Sequence, residues 1–300
     1  VGNQATTFVY DSVGNLTSAS NPVTNVLNQY DLANRLLSSL STTEAAVSGA
    51  VIQINVDTTI GANNLQFEGR TIQVNGRTLT VDGAHTFDNL ILVNGAVLTH
   101  SPTTGTSVGK LDITVFGVVQ IDATSRIDVL GRGFLGGNRS GNPFGLLGMT
   151  VGFVAGSGSG TGGSYGGLGG VFGGTANPVY GDFRNPNDAG SGGGAFSGSQ
   201  GGNGGGLVRI VAQTLVLDGA IRANGGVGAG FGAGGSGGGI RIDVGTLSGA
   251  GAISGNGAAA TPSGGGGGGG GSDAVYYQNA RGFNLANVSP LGGTGSGSPN

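Results

Sequence analysis

A 32-residue repeat between residues 204 and 257 constrains the fold of this chain more than any other feature. Val208-Arg209-Ile210 aligns with Ile240-Arg241-Ile242, and Gly219-Ala220-Ile221 aligns with Gly251-Ala252-Ile253. Short apolar runs at a fixed spacing, separated by glycine, are typical of repeats that stack and share one core. The repeat therefore predicts parallel strands stacked in successive rungs.

The residues before the glycine-rich part have a similar pattern. From Val51 to Leu130 the chain is a series of short, mostly alternating β runs, separated by turn pairs such as Asn75-Gly76 and Asp82-Gly83. Asn-Gly is also typical of antiparallel hairpins, so a meander or a sandwich remains the alternative. Because residues 111–131 follow the same plan as residues 207–225, we favour an all-β fold, a right-handed parallel β-helix (solenoid).

Glycine is unusually abundant, with 70 of 300 residues, and is densest between residues 136 and 206. We expect this segment to be an insertion between rungs, lying against them through its aromatic residues, or else to be disordered. The ordered alternative is a set of extended, polyproline-like strands that pack closely because glycine has no Cβ.

The N-terminal residues contain a different repeat, 20 residues long. Tyr10-Asp11 is followed by Gly14-Asn15-Leu16, and Tyr30-Asp31 is followed by Asn34-Arg35-Leu36. This pattern resembles the YD repeat of RHS-type bacterial surface proteins. The resemblance implies strand-turn-strand units. RHS repeats build large β shells from many copies, and two copies cannot enclose anything, so the shell function does not carry over.

These patterns divide the chain into consecutive segments. The predicted segments are YD-like strands at 1–41, a linker at 42–50, β-helix rungs at 51–135, the glycine-rich insertion at 136–206, further rungs with a cap at 207–283 and a Gly/Ser-rich tail at 284–300. The chain begins with Val, and we expect it to be a mature fragment or a section of something larger.

Composition excludes several kinds of partner and site. Only 9% of residues are charged and the net charge is −3, which predicts no nucleic-acid partner. The absence of Cys excludes disulfides and Cys-based metal sites. No apolar run approaches the roughly 18 residues of a membrane span. We predict no cofactor and no metal site.

Polysaccharide-degrading enzymes use carboxylates in pairs, so the Asp residues are candidate catalytic groups. The only plausible carriers are Asp122, Asp128, Asp182 and Asp188, and an Asp beside a turn usually satisfies backbone N–H groups. We therefore predict no catalytic residue and keep a polysaccharide-degrading enzyme as the least favoured alternative.

Metal and nucleophile motifs are incomplete. The loops at 201–207 and 234–240 approach the calcium-binding β-roll motif but have Gly where the metal-binding Asp is required. Calcium between Asp182 and Asp188 stays open. His85 and His100 are expected to face solvent, and the aligned Arg209 and Arg241 are expected to form a solvated outward ladder.

The favoured function is structural. We predict an extracellular, cell-surface protein, a filament or stalk subunit or an adhesin, whose partners are other copies joined head to tail. The candidate assembly residues are Tyr10, Asp11, Tyr30, Asp31, Leu36, Tyr276, Tyr277 and Phe283. The main alternative is a surface module that binds glycans by ring stacking on Tyr165, Tyr180 and Phe183.

Overall fold

The computed structural model describes residues 7–10, 16–20, 25–30, 36–42, 51–261 and 263–295. The chain divides into two compact units, Val1–Ala50 and Val51–Asn300, which are described separately.

The N-terminal unit is a four-stranded antiparallel sheet in which each strand pairs with the next one along the chain. Its strands are β1 (Thr7–Tyr10), β2 (Leu16–Ser20), β3 (Asn25–Tyr30) and β4 (Leu36–Thr42). Tyr10 pairs with Leu16 and Tyr30 pairs with Leu36, and both pairs follow a register shift. The strands expected from the 20-residue repeat are present as antiparallel pairs, and the expected turns at residues 11–15 and 31–35 lie outside the described residues.

The large unit is built from two parallel sheets, and strands of one generally alternate along the chain with strands of the other. The eight-stranded sheet contains β5 (Val51–Ile54), β7 (Thr71–Asn75), β9 (Gly83–Phe87), β10 (Leu90–Val93), β12 (Leu111–Ile121), β16 (Leu207–Leu217), β18 (Gly239–Ser248) and β20 (Ser272–Arg281). The seven-stranded sheet contains β6 (Thr58–Ile60), β8 (Thr78–Val81), β11 (Val97–Thr99), β13 (Arg126–Asp128), β17 (Ala220–Arg222), β19 (Ala252–Ser254) and β21 (Val288–Ser289). The short strands β14 (Met149–Thr150) and β15 (Val154–Ala155) pair with each other, and two 3-10 turns occupy Leu65–Phe67 and Leu285–Asn287.

The 32-residue repeat sets the strand register. Val208 pairs with Ile240 and Ile210 with Ile242 in parallel, and Ile221 pairs with Ile253 in the other sheet. The apolar positions of both sheets are buried in one common core, because strand side chains alternate between two faces. The pairing predicted from the aligned repeat units is confirmed, and the meander is excluded for these strands.

The predicted fold class, a single right-handed parallel β-helix with a glycine-rich insertion and a short N-terminal strand segment, is wrong. The described strands of the large unit form two parallel sheets and one small antiparallel pair, and the N-terminal strands form a sheet of their own. The glycine-rich residues form a further hydrogen-bonded region. Its aromatic residues Phe134, Phe144 and Phe153 pack in a small core of their own around Met149, rather than against the main core.

Glycine segments are ordered with a period of three. Along residues 190–195, two backbone groups of the same kind, N–H or C=O, that are three residues apart form hydrogen bonds to the same neighbouring segment. Gly190 and Gly193 donate to Gly205 and Gly202, Gly192 and Ala195 donate to Met149 and Leu146, and the carbonyls of Ser191 and Gly194 accept from Ser236 and Ala233. Three residues per turn is the period of the polyproline II helix, whereas a strand has a period of two. The glycine-rich segments therefore pack closely side by side in an extended conformation, and we call them the glycine bundle.

The bundle continues beyond the predicted insertion. Three glycine segments, 200–206, 232–238 and 264–271, lead directly into β16, β18 and β20. They stack in the same order as those strands, since Gly202 donates to Ala233 and Gly234 donates to Gly266. The predicted tail also joins the bundle, where Gly293 donates to Gly268. A glycine here permits an approach that any Cβ would block, as at Gly202 against the carbonyl oxygen of Gly226.

Candidate assembly edge and its docked loop

Strand β20 ends the eight-stranded sheet with an exposed edge. Among the described strands its only partner is β18, and its residues from Tyr276 to Arg281 are exposed. The rings of Tyr276 and Tyr277 border a shallow groove of about 330 Å³ together with Ala212, Asp243, Val244, Gly245 and Gln278. Unpaired backbone N–H and C=O groups of such an edge can pair with a strand from another chain.

Phe283 has a different role from the two tyrosines. Its side chain is buried and belongs to the main core, where Val275 and Val288 pack against the same cluster. It therefore closes the apolar interior at this end, as a terminal repeat must. Tyr276 and Tyr277, by contrast, are exposed and lie outside this core.

At the other end of the same sheet, β5 pairs with β7 and has no further partner among the described strands. Val51 is exposed, and the side-chain amide of Gln53 donates to Gln73 on the neighbouring strand at 3.3 Å. The sheet therefore has two parallel edges of the same kind at opposite ends of its strand order.

The N-terminal assembly candidates are only partly within the described residues. Tyr10 and Tyr30 end β1 and β3, and Leu36 begins β4. Asp11 and Asp31 lie outside the described residues.

The two repeat arginines hold a loop rather than facing solvent alone. Arg209 donates to the Asn187 side chain at 3.0 Å, and Arg241 donates to Asn185 at 2.5 Å. The hydroxyl of Tyr276 donates to the carbonyl of Arg184 at 2.6 Å. The predicted solvated ladder is therefore wrong: this ladder docks residues 184–187 onto the outer face of the sheet.

Arg241 is also fixed within its own strand. Its guanidinium donates to both carboxylate oxygens of Asp243, at 2.7 and 3.1 Å, and lies 5.3 Å from the ring centre of Tyr276. Hydrogen bonding to Asp243 raises the pKa of Arg241 further. Tyr276 and the docked loop are thus held by one charged group.

The predicted glycan platform is not formed. Tyr165 is fully buried, with its ring centre 4.9 Å from that of Tyr180. The Tyr180 hydroxyl donates to the carbonyl of Ala189 at 2.6 Å, and burial raises the pKa of both tyrosines. Phe183 is 70% exposed and lies beneath the Arg184 guanidinium. A buried ring cannot stack on a sugar, so the assignment of Tyr165 is wrong.

The candidate carboxylates serve local structure. Asp122 accepts hydrogen bonds from the backbone N–H groups of Asn94 and Thr124. Burial alone would raise the pKa of Asp122. These bonds and one from Ser125 outweigh burial and lower the pKa to about 2. Asp128 forms ion pairs with Arg126 and Arg222.

The two loop carboxylates, Asp182 and Asp188, lie in different local surroundings. Asp182 accepts from the backbone N–H of Arg184, and burial raises the pKa of Asp188. In the described ranges, His, Asp and Glu nowhere gather in a group of three able to hold a metal ion.

Both histidines are buried, contrary to the prediction. His85 Nδ1 lies 2.5 Å from the Glu68 carboxylate, which also accepts from the backbone of Thr86. His100 donates from Nδ1 to Ser101 and accepts at Nε2 from the N–H of Leu207. Burial lowers the pKa of His100 to about 4; the positive charge of Arg132 acts in the same direction, whereas the bond to Ser101 opposes it.

Asp273 is a half-buried acid that the sequence pattern did not single out. It lies on β20 and accepts from the N–H of Gly255 at 3.0 Å through Oδ2, whereas Oδ1 is buried without a hydrogen-bond partner. Burial raises the pKa of this carboxyl to about 7, although the Gly255 bond acts in the opposite direction. Asp273 follows the glycine run 264–271 almost directly, and that run carries no side-chain pattern that would reveal such burial.

No family model matches the chain, and neither a curated protein nor a solved structure matches it. Within the described ranges, no helix combines the length and apolar character that crossing a lipid bilayer requires. The resemblance of the first 41 residues to YD repeats stays a prediction.

Proposed function

We propose that this chain is an extracellular structural protein of a bacterial surface, a subunit that associates end to end into a filament or stalk. The observation that carries the proposal is the exposed half of β20, where a parallel sheet ends in unpaired backbone groups beside two tyrosine rings. A copy joined through β5 continues the same parallel sheet, and repeated addition without closure makes a fibre.

The chemistry of the described residues fits this role. Asp122 and Asp182 accept backbone N–H groups in turns, Asp128 forms ion pairs, and buried polar side chains such as Asn177 hold backbone segments together. The surface placement rests on the N-terminal resemblance to YD repeats. The N-terminal strands are proposed to contribute to the joint between copies.

The test adds positive charge to the exposed edge strand β20. Tyr277→Lys with Asn279→Lys places two cations on β20, and a charged edge strand resists pairing with another strand. The matched control is Val211→Lys, an exposed position on β16, which has partners on both sides. We expect filaments of the parent chain and of the control in negative-stain electron micrographs, and single particles of the double variant.

Removal of residues 1–45 tests the N-terminal contribution and is expected to stop polymerisation. Light scattering of the intact chain at high concentration decides the proposal as a whole. A parent chain that stays monomeric would overturn it.

A further inference from the structure

One end of the glycine bundle carries a cluster of exposed phenylalanine rings. Phe172 and Phe196 have ring centres 6.4 Å apart in an edge-to-face arrangement, and Phe196 lies 6.4 Å from Phe231 in the same manner. Each side chain remains exposed, by 41, 40 and 45% respectively. Val171, next to Phe172 in sequence, and Val227, four residues before Phe231, are exposed as well.

The loops that bear these rings are tied to one another. Gln200 bridges to Ala229, and the Thr261 hydroxyl donates to the carbonyls of Gly230 and Gly264. Ser197 adopts a left-handed φ of 45°, and the Ser199 hydroxyl bonds to the backbone of Phe196. The hydrogen-bonded backbone of these loops therefore holds the three rings in exposed positions.

The cluster has no charge of its own. Residues 168–176, 195–201, 226–233 and 259–265, which form the loops, contain no Asp, Glu, Lys or Arg. The neighbouring Arg139 donates to the carbonyls of Gly201 and Val227, so that its hydrogen-bonding capacity serves the loops. Aromatic enrichment with depletion of charge is the composition of the core of a protein interface.

An uncharged patch can also face a copy of itself. Two copies related by a twofold axis present identical surfaces to each other, so a patch with net charge would repel its own image. Three edge-to-face rings leave both ring edges and ring faces available, and aromatic pairs prefer this mixed geometry.

The geometry points to a second copy of this chain as the occupant: the Phe172, Phe196 and Phe231 surface is a twofold self-association face. This contact is separate from β20 and does not rest on end-to-end association. It pairs two subunits, or two filaments, side by side through their glycine bundles.

The experiment uses the full chain with Tyr277→Lys and Asn279→Lys, which removes the β20 contact from the measurement. Sedimentation velocity is expected to show a monomer–dimer equilibrium. Substitution of Ser for Phe172, Phe196 and Phe231 is expected to weaken the dimer at least tenfold. The matched control, Phe183→Ser, removes a more exposed but isolated ring and is expected to leave the dimer unchanged.

A cross-link keeps the test independent of how well the Ser variant folds. The chain has no Cys, so Val227→Cys introduces a single thiol at the rim of the cluster. Oxidation is expected to join two copies through it, whereas Val179→Cys, which is equally exposed elsewhere, stays unlinked. A monomer at all concentrations, a dimer that persists without the three rings, or binding of the rings to phosphatidylcholine vesicles in place of dimerisation overturns the proposal.

Discussion

Burial favours the protonated form of the Asp273 carboxyl. Oδ2 accepts the N–H of Gly255, and Oδ1 is buried without a partner. A protonated carboxyl carries no charge, whereas an ionised one leaves a buried negative charge with a single hydrogen bond. Burial accordingly raises the pKa to about 7 from an ordinary value of 3.8.

This pKa shift makes the free energy of unfolding depend on pH. Below about pH 4 the carboxyl is protonated in both folded and unfolded chains, so the folded state pays no penalty. As the pH rises from about 4 to about 7 the unfolded chain ionises first, and the fold loses stability. We expect Asp273→Asn to stabilise the protein by about 1–3 kcal/mol at pH 8 and to have little effect near pH 4.

Urea denaturation of parent and variant across this pH range measures the effect. His100 contributes a slope of opposite sign, because its lowered pKa removes stability as the pH falls from about 6.5 towards 4. Both proteins contain His100, so the difference between their two curves isolates Asp273. A difference that does not change with pH would show that folding does not raise the pKa of this carboxyl.

Single residues were the hardest feature to predict. The polar neighbours of His85 and His100 suggest solvent, yet both rings are buried by partners distant in sequence, Glu68 and Leu207. The arginine pair was correctly aligned but wrongly placed in open solvent, because the loop at 184–187 that covers it shares no pattern with the repeat.

At the level of elements, the glycine segments are held by contacts that only glycine permits. The Gly202 N–H donates to Ala233 at 2.8 Å, and its carbonyl accepts from Gly193 at 2.9 Å. A Cβ on Gly202 would overlap the backbone carbonyl of Gly226 and the backbone nitrogen of Gly235. Backbone atoms hydrogen-bonded on several sides cannot move away, so the added methyl forces the segments apart.

We therefore expect Gly202→Ala to destabilise the protein by about 2 kcal/mol or more, lowering the melting temperature by roughly 4–8 °C. The control is Gly61→Ala, because nothing lies within 4 Å of a Cβ at that position and its φ is not left-handed. It should change the stability by less than about 1 kcal/mol. Equal melting temperatures for the two variants in scanning calorimetry would contradict the close packing of the bundle.

The elements also differ in how far sequence alone predicts them. Strand registers followed from the repeat, since apolar residues at alternate positions have one buried face. The arrangement of the glycine bundle did not follow from the sequence, because glycine has no side chain to show which segment lies beside which. Its extended conformation was one of the alternatives, but its neighbours, such as Met149 beside Gly192, could be found only in the structure.

At the scale of the large unit, sheets and bundle share hydrogen bonds. Gly206 donates to Val129, and Gly238 donates to Ala223, which in turn donates to Ser254. The segment before each of β16, β18 and β20 belongs to the bundle, so a strand and its glycine segment are covalently continuous. The predicted fold class was wrong for the large unit, because it treated the glycine-rich residues as an insertion between the strands.

This shared bonding predicts that the sheets and the bundle unfold together. Amides of residues 190–195 and of β16 are therefore expected to exchange hydrogen for deuterium with similar free energies, close to that of global unfolding. Hydrogen exchange read by mass spectrometry on proteolytic fragments makes the comparison. Glycine amides that exchange about a thousandfold faster than those of β16 would show that the bundle opens independently, since this factor corresponds to about 4 kcal/mol.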